Sequence, residues 1–333
     1  MSNERYIVVL MGGISPEREI SMQSGKAVAD ALSKDNNVIK IIVNDDMVNE
    51  LDNYKIDVAF IALHGYFGED GGIQGVLESK GIPYTGSGIT ASKLAMNKVE
   101  SKDIFRKNNV PTPDYFTTSA IQNVSEITNS AKRLKLPLII KPVSNGSSYG
   151  ISIVKEYAEI KNAIEHTGSY GREILIEECI EGRELTVSVL NEKALPVIEI
   201  KTATGIYDYD AKYKSDKTRY NVLTPGDDSS ETTLSHDVYE RAQELAVRAH
   251  NSLGCRTLSR VDMILNKDDE IYVLEVNTIP GFTERSLLPK AAAAANINFT
   301  ELCNVIVNAA CKCTLMPEQA TRAGIIDKNI ANI

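Results

Sequence analysis

Apolar and polar positions along roughly the first 90 residues alternate between two periods. "RYIVVLMGG" is a continuous apolar run that predicts a buried strand, and "NNVIKIIV" and "DVAFIALHG" predict two more. Between the first two, a helix is expected with Ser15 as its cap, Pro16 at the first helical position, Glu17 and Glu19 in the first turn, and an end near Leu32. "DGGIQGVLESKG" predicts another helix, stopped by Gly81. Strands that alternate with helices form a parallel sheet, and such sheets take ligands beyond the carboxyl ends of their strands. Gly12-Gly13 and His64-Gly65 fall there.

After the link "YTGSGITAS" the pattern changes. "MNKVESKDIFRKNN" is helical and "PTP" ends it. "LPLIIKP", "ISIVKE" and "REILIEECI" predict strands around the loop "VSNGSSYG". From about Arg183 come further strands, a long loop at 203–227, a helix over about 231–252, a hairpin and two closing helices. The expected units are 1–97, 98–182 and 183–317, with a tail at 318–333. The fold class is α/β, turning to α+β in the C-terminal half.

The hairpin "RVDMILNKDDEIYVLEVNTIPG" carries the sharpest chemical signal. Its strands, Arg260–Asn266 and Ile271–Asn277, are joined by four turn residues, 267–270. That turn sets 262 opposite 275 and 260 opposite 277, so Arg260, Asp262, Glu275 and Asn277 share one face. Paired Cβ atoms lie about 5 Å apart there, and two carboxylates that close repel unless a positive group neutralises them. Hard oxygen donors suit Mg²⁺, usually held by one or two carboxylates plus substrate phosphates. The other reading is a solvated strand face, and a slip of one residue would separate the ligands.

Charge and composition narrow the field. The 333 residues are 43% hydrophobic and 24% charged with a net charge of −9, which is globular material without the basic patch that nucleic acid requires. No run of about 18 apolar residues predicts a membrane span, and the charged N-terminus does not resemble a signal peptide. Five cysteines without paired metal spacing fit reduced thiols in a cytoplasmic chain.

"IIKPVSNGSSYGISIV" places Lys141 at the end of an apolar strand, before small residues whose backbone N–H groups can cradle phosphates. Gly146-Ser147-Ser148-Tyr149-Gly150 also matches the serine-hydrolase elbow, but that motif needs a following helix, and "ISIVKE" is strand-like. An ordinary flexible hairpin loop is the plainer alternative.

Taken in order, "GGISPEREIS", "ALHGYFGEDGGIQG", "YTGSG", "KP…NGSSYG", "YDYDAKY", "RVDMIL" and "LEVNTIPGFT" resemble the D-alanine–D-alanine ligase family of ATP-grasp enzymes from about residue 5 to 315. The resemblance implies an ATP-grasp fold behind an N-terminal Rossmann-like domain. It implies ATP as co-substrate, two Mg²⁺ or Mn²⁺ ions, D-alanine as substrate and, commonly in the family, a homodimer. By resemblance, Asp262, Glu275 and Asn277 hold metal, and Lys98 and Lys141 bind phosphate. Glu177, Glu178, Cys179 and Ile180 receive adenine through backbone groups, and Glu184 binds ribose. Glu17 holds the first substrate's ammonium, with Ser147 and Tyr213 closing a hydrogen-bonded group around it. Arg260 and the Gly281 N–H face the tetrahedral intermediate. His64, Lys212, Ser286 and Leu287 are assigned to the substrate pocket, and the 203–227 loop is expected to act as a lid.

Glu284-Arg285 and Tyr149 depart from the family pattern, the first pair by charge and the second by size. Two competing functions stay open at this level: a sibling ligase with D-lactate or D-serine as acceptor, and a non-catalytic nucleotide-binding protein.

Overall fold

A computed structural model describes residues 4–44, 50–146, 149–202, 218–227 and 230–314. Strands β1 (Tyr6–Gly12), β2 (Asn37–Val43) and β3 (Val58–Ile61) form a parallel sheet in the order β2-β1-β3. Helix α1 (Arg18–Leu32) lies against it. The helix starts later than the Ser15 cap predicts. Ser15 instead accepts from the Glu17 N–H through its hydroxyl and donates to the His64 carbonyl at 2.6 Å, tying the helix entrance to the end of β3. Helices α2 (Gly72–Ser79), α3 (Ile89–Met96) and α4 (Lys98–Lys107) follow. Asn97 caps α4, its side chain accepting from the N–H groups of Val99 and Glu100.

The second sheet is antiparallel, β4-β7-β5-β6, from β4 (Tyr115–Ser119), β5 (Leu138–Pro142), β6 (Ser152–Val154) and β7 (Glu173–Glu178). Helices α5 (Val124–Ala131) and α6 (Ile160–Gly168) cover one face. The third sheet joins β8 (Gly182–Leu190), β9 (Lys193–Ala194), β10 (Ile198–Lys201), β11 (Arg219–Val222), β14 (Leu258–Asn266) and β15 (Ile271–Asn277) in the order β11-β10-β8-β14-β15, with β9 beside β8. A small parallel pair, β12 (Thr224–Pro225) with β13 (Thr233–Leu234), precedes helix α7 (His236–Ser252). Strand β11 corrects part of the loop expected at 203–227, because Arg219–Val222 pairs antiparallel with Ile198–Lys201. Residues 203–217 lie outside the described residues.

Burial follows the period of two. Leu138 and Ile140 enter the core of the second sheet, which turns Ile139 and Lys141 to the other face. Leu185, Val187, Val261 and Met263 enter the core of the third, which turns Glu184, Asp262 and Ile264 outward. Phe105 of α4 packs into this same core beside α7. The chain then returns: helices α8 (Leu287–Ala294) and α9 (Phe299–Thr314) bury Leu288, Leu302 and Ile306 against the first sheet, and Phe282 meets Phe60 edge to face at 5.1 Å.

The predicted pairing of Arg260 with Asn277 and Asp262 with Glu275 is present. Nearer the turn the pairing differs, since Ile271 faces Leu265, not Asn266. A β-bulge between Asp262 and Met263 takes up the difference, because Met263 pairs with Val273 and leaves Leu274 as the extra residue. Strict alternation from Ile271 and Val273 would aim Glu275 into the core. The bulge reverses the parity, so Leu274 and Glu275 both line the cavity while Val276 is buried.

Gly182 sits where β8 passes β14 at the cavity edge, and a Cβ there would lie 2.0 Å from the Leu265 carbonyl oxygen. We expect Gly182→Ala to force the two strands apart and lower stability by about 1–3 kcal/mol. A thermal melt that matches the parent within error would show that the strands separate freely.

Candidate functional site

The second and third sheets turn their uncovered faces toward a cavity of about 360 Å³, a size suited to a small-molecule ligand. Its walls divide by chemistry. Ile139, Ile151, Ile153, Ile180, Ile264 and Leu274 are apolar, and Lys98, Lys141, Asp262, Glu275 and Glu184 supply charge. A flat apolar group fits the first set and an anion with a bound cation fits the second.

The acidic pair is not left bare. Arg260 forks Asp262, with Nε donating to Oδ1 at 2.9 Å and a terminal nitrogen donating to Oδ2 at 2.7 Å. From the neighbouring strand β8, Thr186 donates to the same Oδ1 at 2.6 Å. Lys98 lies 3.5 Å from Glu275 and donates to the Asn145 carbonyl at 2.7 Å, which ties α4 to the glycine-rich loop. Asn277 accepts from the Ile279 N–H at 3.0 Å. The donors fit a hard divalent cation: two carboxylates and an amide oxygen share one ribbon face, and Asp262 Oδ2 and the Asn277 amide oxygen each keep a lone pair beyond the one used here. Among the described residues no three of His, Cys, Asp and Glu gather into an all-protein metal cage.

Lys141 points into the cavity with its ammonium against the carboxylate of Glu177. Glu177 therefore contributes more than backbone. Burial alone would raise its pKa, but Lys102 and Lys141 hold it below the usual carboxylate range. Glu178 accepts from the Lys135 N–H through its side chain, and the Cys179 N–H donates to the Pro137 carbonyl. The connection from β7 to β8 is thus pinned at the cavity rim, with Ile180 and Glu184 facing inward.

A second constellation lies at the carboxyl ends of the first sheet. Glu17, His64 and Glu69 are all buried. Gly65 has φ +70, and a Cβ there would lie 2.7 Å from Glu17 Oε2, so this position needs glycine for both conformation and space. A Cβ on Gly146 would come within 3.2 Å of the same oxygen, so the glycine-rich loop reaches Glu17 across the units. Burial first, then the Arg260 charge, pulls His64 down to about 4 against its hydrogen bond to the Ile279 backbone. It is therefore neutral near pH 7. Its Nε2 faces the Ser24 hydroxyl at 3.3 Å, and that hydroxyl accepts from the Phe282 N–H. These links join the first sheet to the loop after β15.

That loop carries Gly281 and Ser286. A Cβ on Gly281 would lie 2.8 Å from Ser286 Oγ, so the two are in contact. Ser286 occupies the N-cap position of α8, and Leu287 is the first residue of that helix. A helix N-terminus favours a carboxylate. Glu284 and Arg285 are exposed, and Tyr149 lines the cavity. Ser147, Lys212 and Tyr213 lie outside the described residues.

The sequence reading assigned nothing to Glu69, Lys102, Ser24 or Thr186. Glu69 stood inside the quoted "YFGEDGG", yet only the fold shows its side chain accepting from the Gly65 N–H at 2.5 Å. Thr186 had no signal, because it reaches Asp262 across a strand pairing between distant segments.

Apolar walls for a flat ring, lysines beside a glycine-rich loop and a paired acidic ribbon define an ATP-grasp site. A family model described as the D-ala D-ala ligase C-terminus matches residues 104–308, and one described as its N-terminus matches residues 44–87. The D-alanine–D-alanine ligase of Desulforamulus reducens is 43% identical over 316 residues, covering 91% of this chain and 98% of the relative. The crystal structure of the Bacillus anthracis D-alanine–D-alanine ligase complexed with ATP is similar at a TM-score of 0.80 and 33% identity, covering 93% of this chain and 99% of that one. The VanG D-Ala:D-Ser ligase of Enterococcus faecalis is similar at a TM-score of 0.79 and 28% identity, covering 92% of this chain and 100% of that one. The chain belongs to the D-alanine–D-alanine ligase family.

Burial, then the charge of Glu17, pushes Glu69 up to about 8, with the Gly65 N–H opposing. The folded state therefore keeps a proton that the unfolded chain releases near pH 4.5, and stability falls as pH rises from there toward 8. We expect Glu69→Gln, which keeps an acceptor for Gly65, to remove a slope of up to about 1.4 kcal/mol per pH unit over that interval. Parallel stability–pH curves for parent and variant would rule out the shift.

Proposed function

We propose that this chain joins two D-alanine molecules to D-alanyl-D-alanine with ATP, supplying a peptidoglycan precursor in the cytoplasm. One observation carries this reading: Asp262 and Glu275 stand opposite each other in a cavity that also holds Lys98 and Lys141. Such a pair suits a cation-bound triphosphate. In this reading the functional units are 1–97, 98–182 and 183–317, and the protein works as a homodimer.

The residues take the following roles. Adenine lies among the isoleucines against the rim formed by Glu177, Glu178, Cys179 and Ile180, with ribose at Glu184. Lys98 and Lys141 leave their carboxylate partners to hold phosphates. A divalent cation bound by Asp262, Glu275 and Asn277 would neutralise charge on the transferring phosphoryl group. Glu17 holds the ammonium of the first D-alanine, beside neutral His64. That substrate's carboxylate attacks the γ-phosphorus, the bond to the bridging oxygen breaks, and ADP leaves behind an acyl phosphate.

The second D-alanine sets its carboxylate at the start of α8, at Ser286 and Leu287, with Lys212. Its amine, after losing a proton, attacks the acyl carbon. Arg260 and the Gly281 N–H stabilise the oxyanion, and inorganic phosphate departs. Pre-alignment of both substrates supplies much of the acceleration, since the chemistry needs positioning and charge balance above all. Ser147 and Tyr213 close the group around Glu17.

Mass identification of the product after incubation with ATP, Mg²⁺ and D-alanine tests the activity directly. D-alanyl-D-alanine is expected, and a preference for a D-serine or D-lactate acceptor would move the chain to a sibling activity. ATP binding without turnover would make it a nucleotide-binding protein alone. Glu275→Gln keeps a neutral oxygen and the fold, and should lower phosphate release by about 100-fold or more. Full turnover in that variant would refute the metal assignment.

A further inference from the structure

Lys102 is the most deeply placed cation among the described residues, fully buried within α4 one turn after Lys98. Its ammonium donates to the Thr112 hydroxyl at 2.6 Å and lies 2.8 Å from one oxygen of Glu177. The other oxygen of Glu177 contacts the Lys141 ammonium. The ring of Tyr115 sits 5.4 Å from the Lys102 ammonium. Two lysines thus share one buried carboxylate, and only Lys141 lines the cavity.

We propose that Lys102 is a positioning residue that keeps Lys141 available for nucleotide phosphate by holding the opposite oxygen of Glu177. The inference rests on the reading of Lys141 as a phosphate ligand and deepens it.

The argument is one of charge balance. A single buried carboxylate facing a single lysine forms a closed neutral pair, and breaking such a pair leaves an uncompensated buried charge. Phosphate would have to break it to gain Lys141. With Lys102 present, Glu177 stays compensated when Lys141 moves to phosphate. The trio also carries one net positive charge at the cavity wall, which attracts an anion.

Burial lowers Lys102 to about 8, opposed by Glu177 and assisted by Lys141 and Arg106. The groups facing it are Glu177, Lys141, Arg106, the Tyr115 ring and the Thr112 hydroxyl. Nucleotide affinity should therefore weaken as pH rises through about 8, when the sharing cation loses its charge.

The test uses calorimetric binding of Mg·ADP to the full chain near neutral pH. Lys102→Met should weaken binding roughly tenfold. The loss should vanish in a Lys141→Met background, because the effect acts through that side chain. Glu177→Gln in the Lys102→Met background should restore affinity to within about threefold, since the captor of Lys141 is gone. Loss of affinity that persists without Lys141, or that Glu177→Gln does not rescue, would overturn the proposal in favour of simple packing. If Lys141→Met itself leaves affinity unchanged, the phosphate reading fails and the inference falls with it. Should Lys102→Met not fold, Glu177→Gln alone decides. The parent must lose affinity from about pH 7 to about pH 9 and Glu177→Gln must not, whereas matching pH profiles would sink the idea.

Discussion

The cleft depends on a half-step in one strand. Leu274 is the extra residue of a bulge, and it turns Glu275 from the core face of β15 to the cavity face. Without it, the carboxylate would point among Val273, Val276 and the helix behind them, where an isolated charge is very costly. With it, two acids from adjacent strands meet beside an apolar ring pocket. A bulge is a local backbone change, yet it decides whether the two acids share a face.

Bringing acids together requires cations, and the fold draws them from different parts of the chain. Arg260 comes from the strand of Asp262 itself, Lys98 from the start of a helix, and Lys141 from the end of β5. Each is paired with a carboxylate, so the charge of a pocket rich in lysine is compensated within the fold. The glycine-rich loop takes part through Asn145, whose carbonyl accepts from Lys98.

The buried cluster at the carboxyl ends of the first sheet is sealed by the chain's return. Helices α8 and α9 pack on the first sheet, and this brings Ile279 and Phe282 against His64 and Ser24. The entrance to α1 and the turn after β3 meet there through Ser15 and the His64 carbonyl. Neutral His64 and the raised Glu69 are consequences of sealing that junction from water.

The periodicities alone determined the parallel first sheet, helix α4 and most of helix α7, because side-chain periodicity is a local property of the backbone. They also paired Arg260 with Asn277 and Asp262 with Glu275, a pairing that the bulge restores after a different register at the turn. Resemblance in ordered motifs supplied the chemistry that spacing could only narrow. Tertiary structure decided what distance in sequence conceals: Lys102 sharing Glu177, Thr186 reaching Asp262, and Glu69 beside Glu17. It also decided the bulge at Leu274, since the four-residue turn alone would set Ile271 opposite Asn266. Strand pairing settles such a register by burying Val273 and Val276 together, and no local pattern encodes that choice.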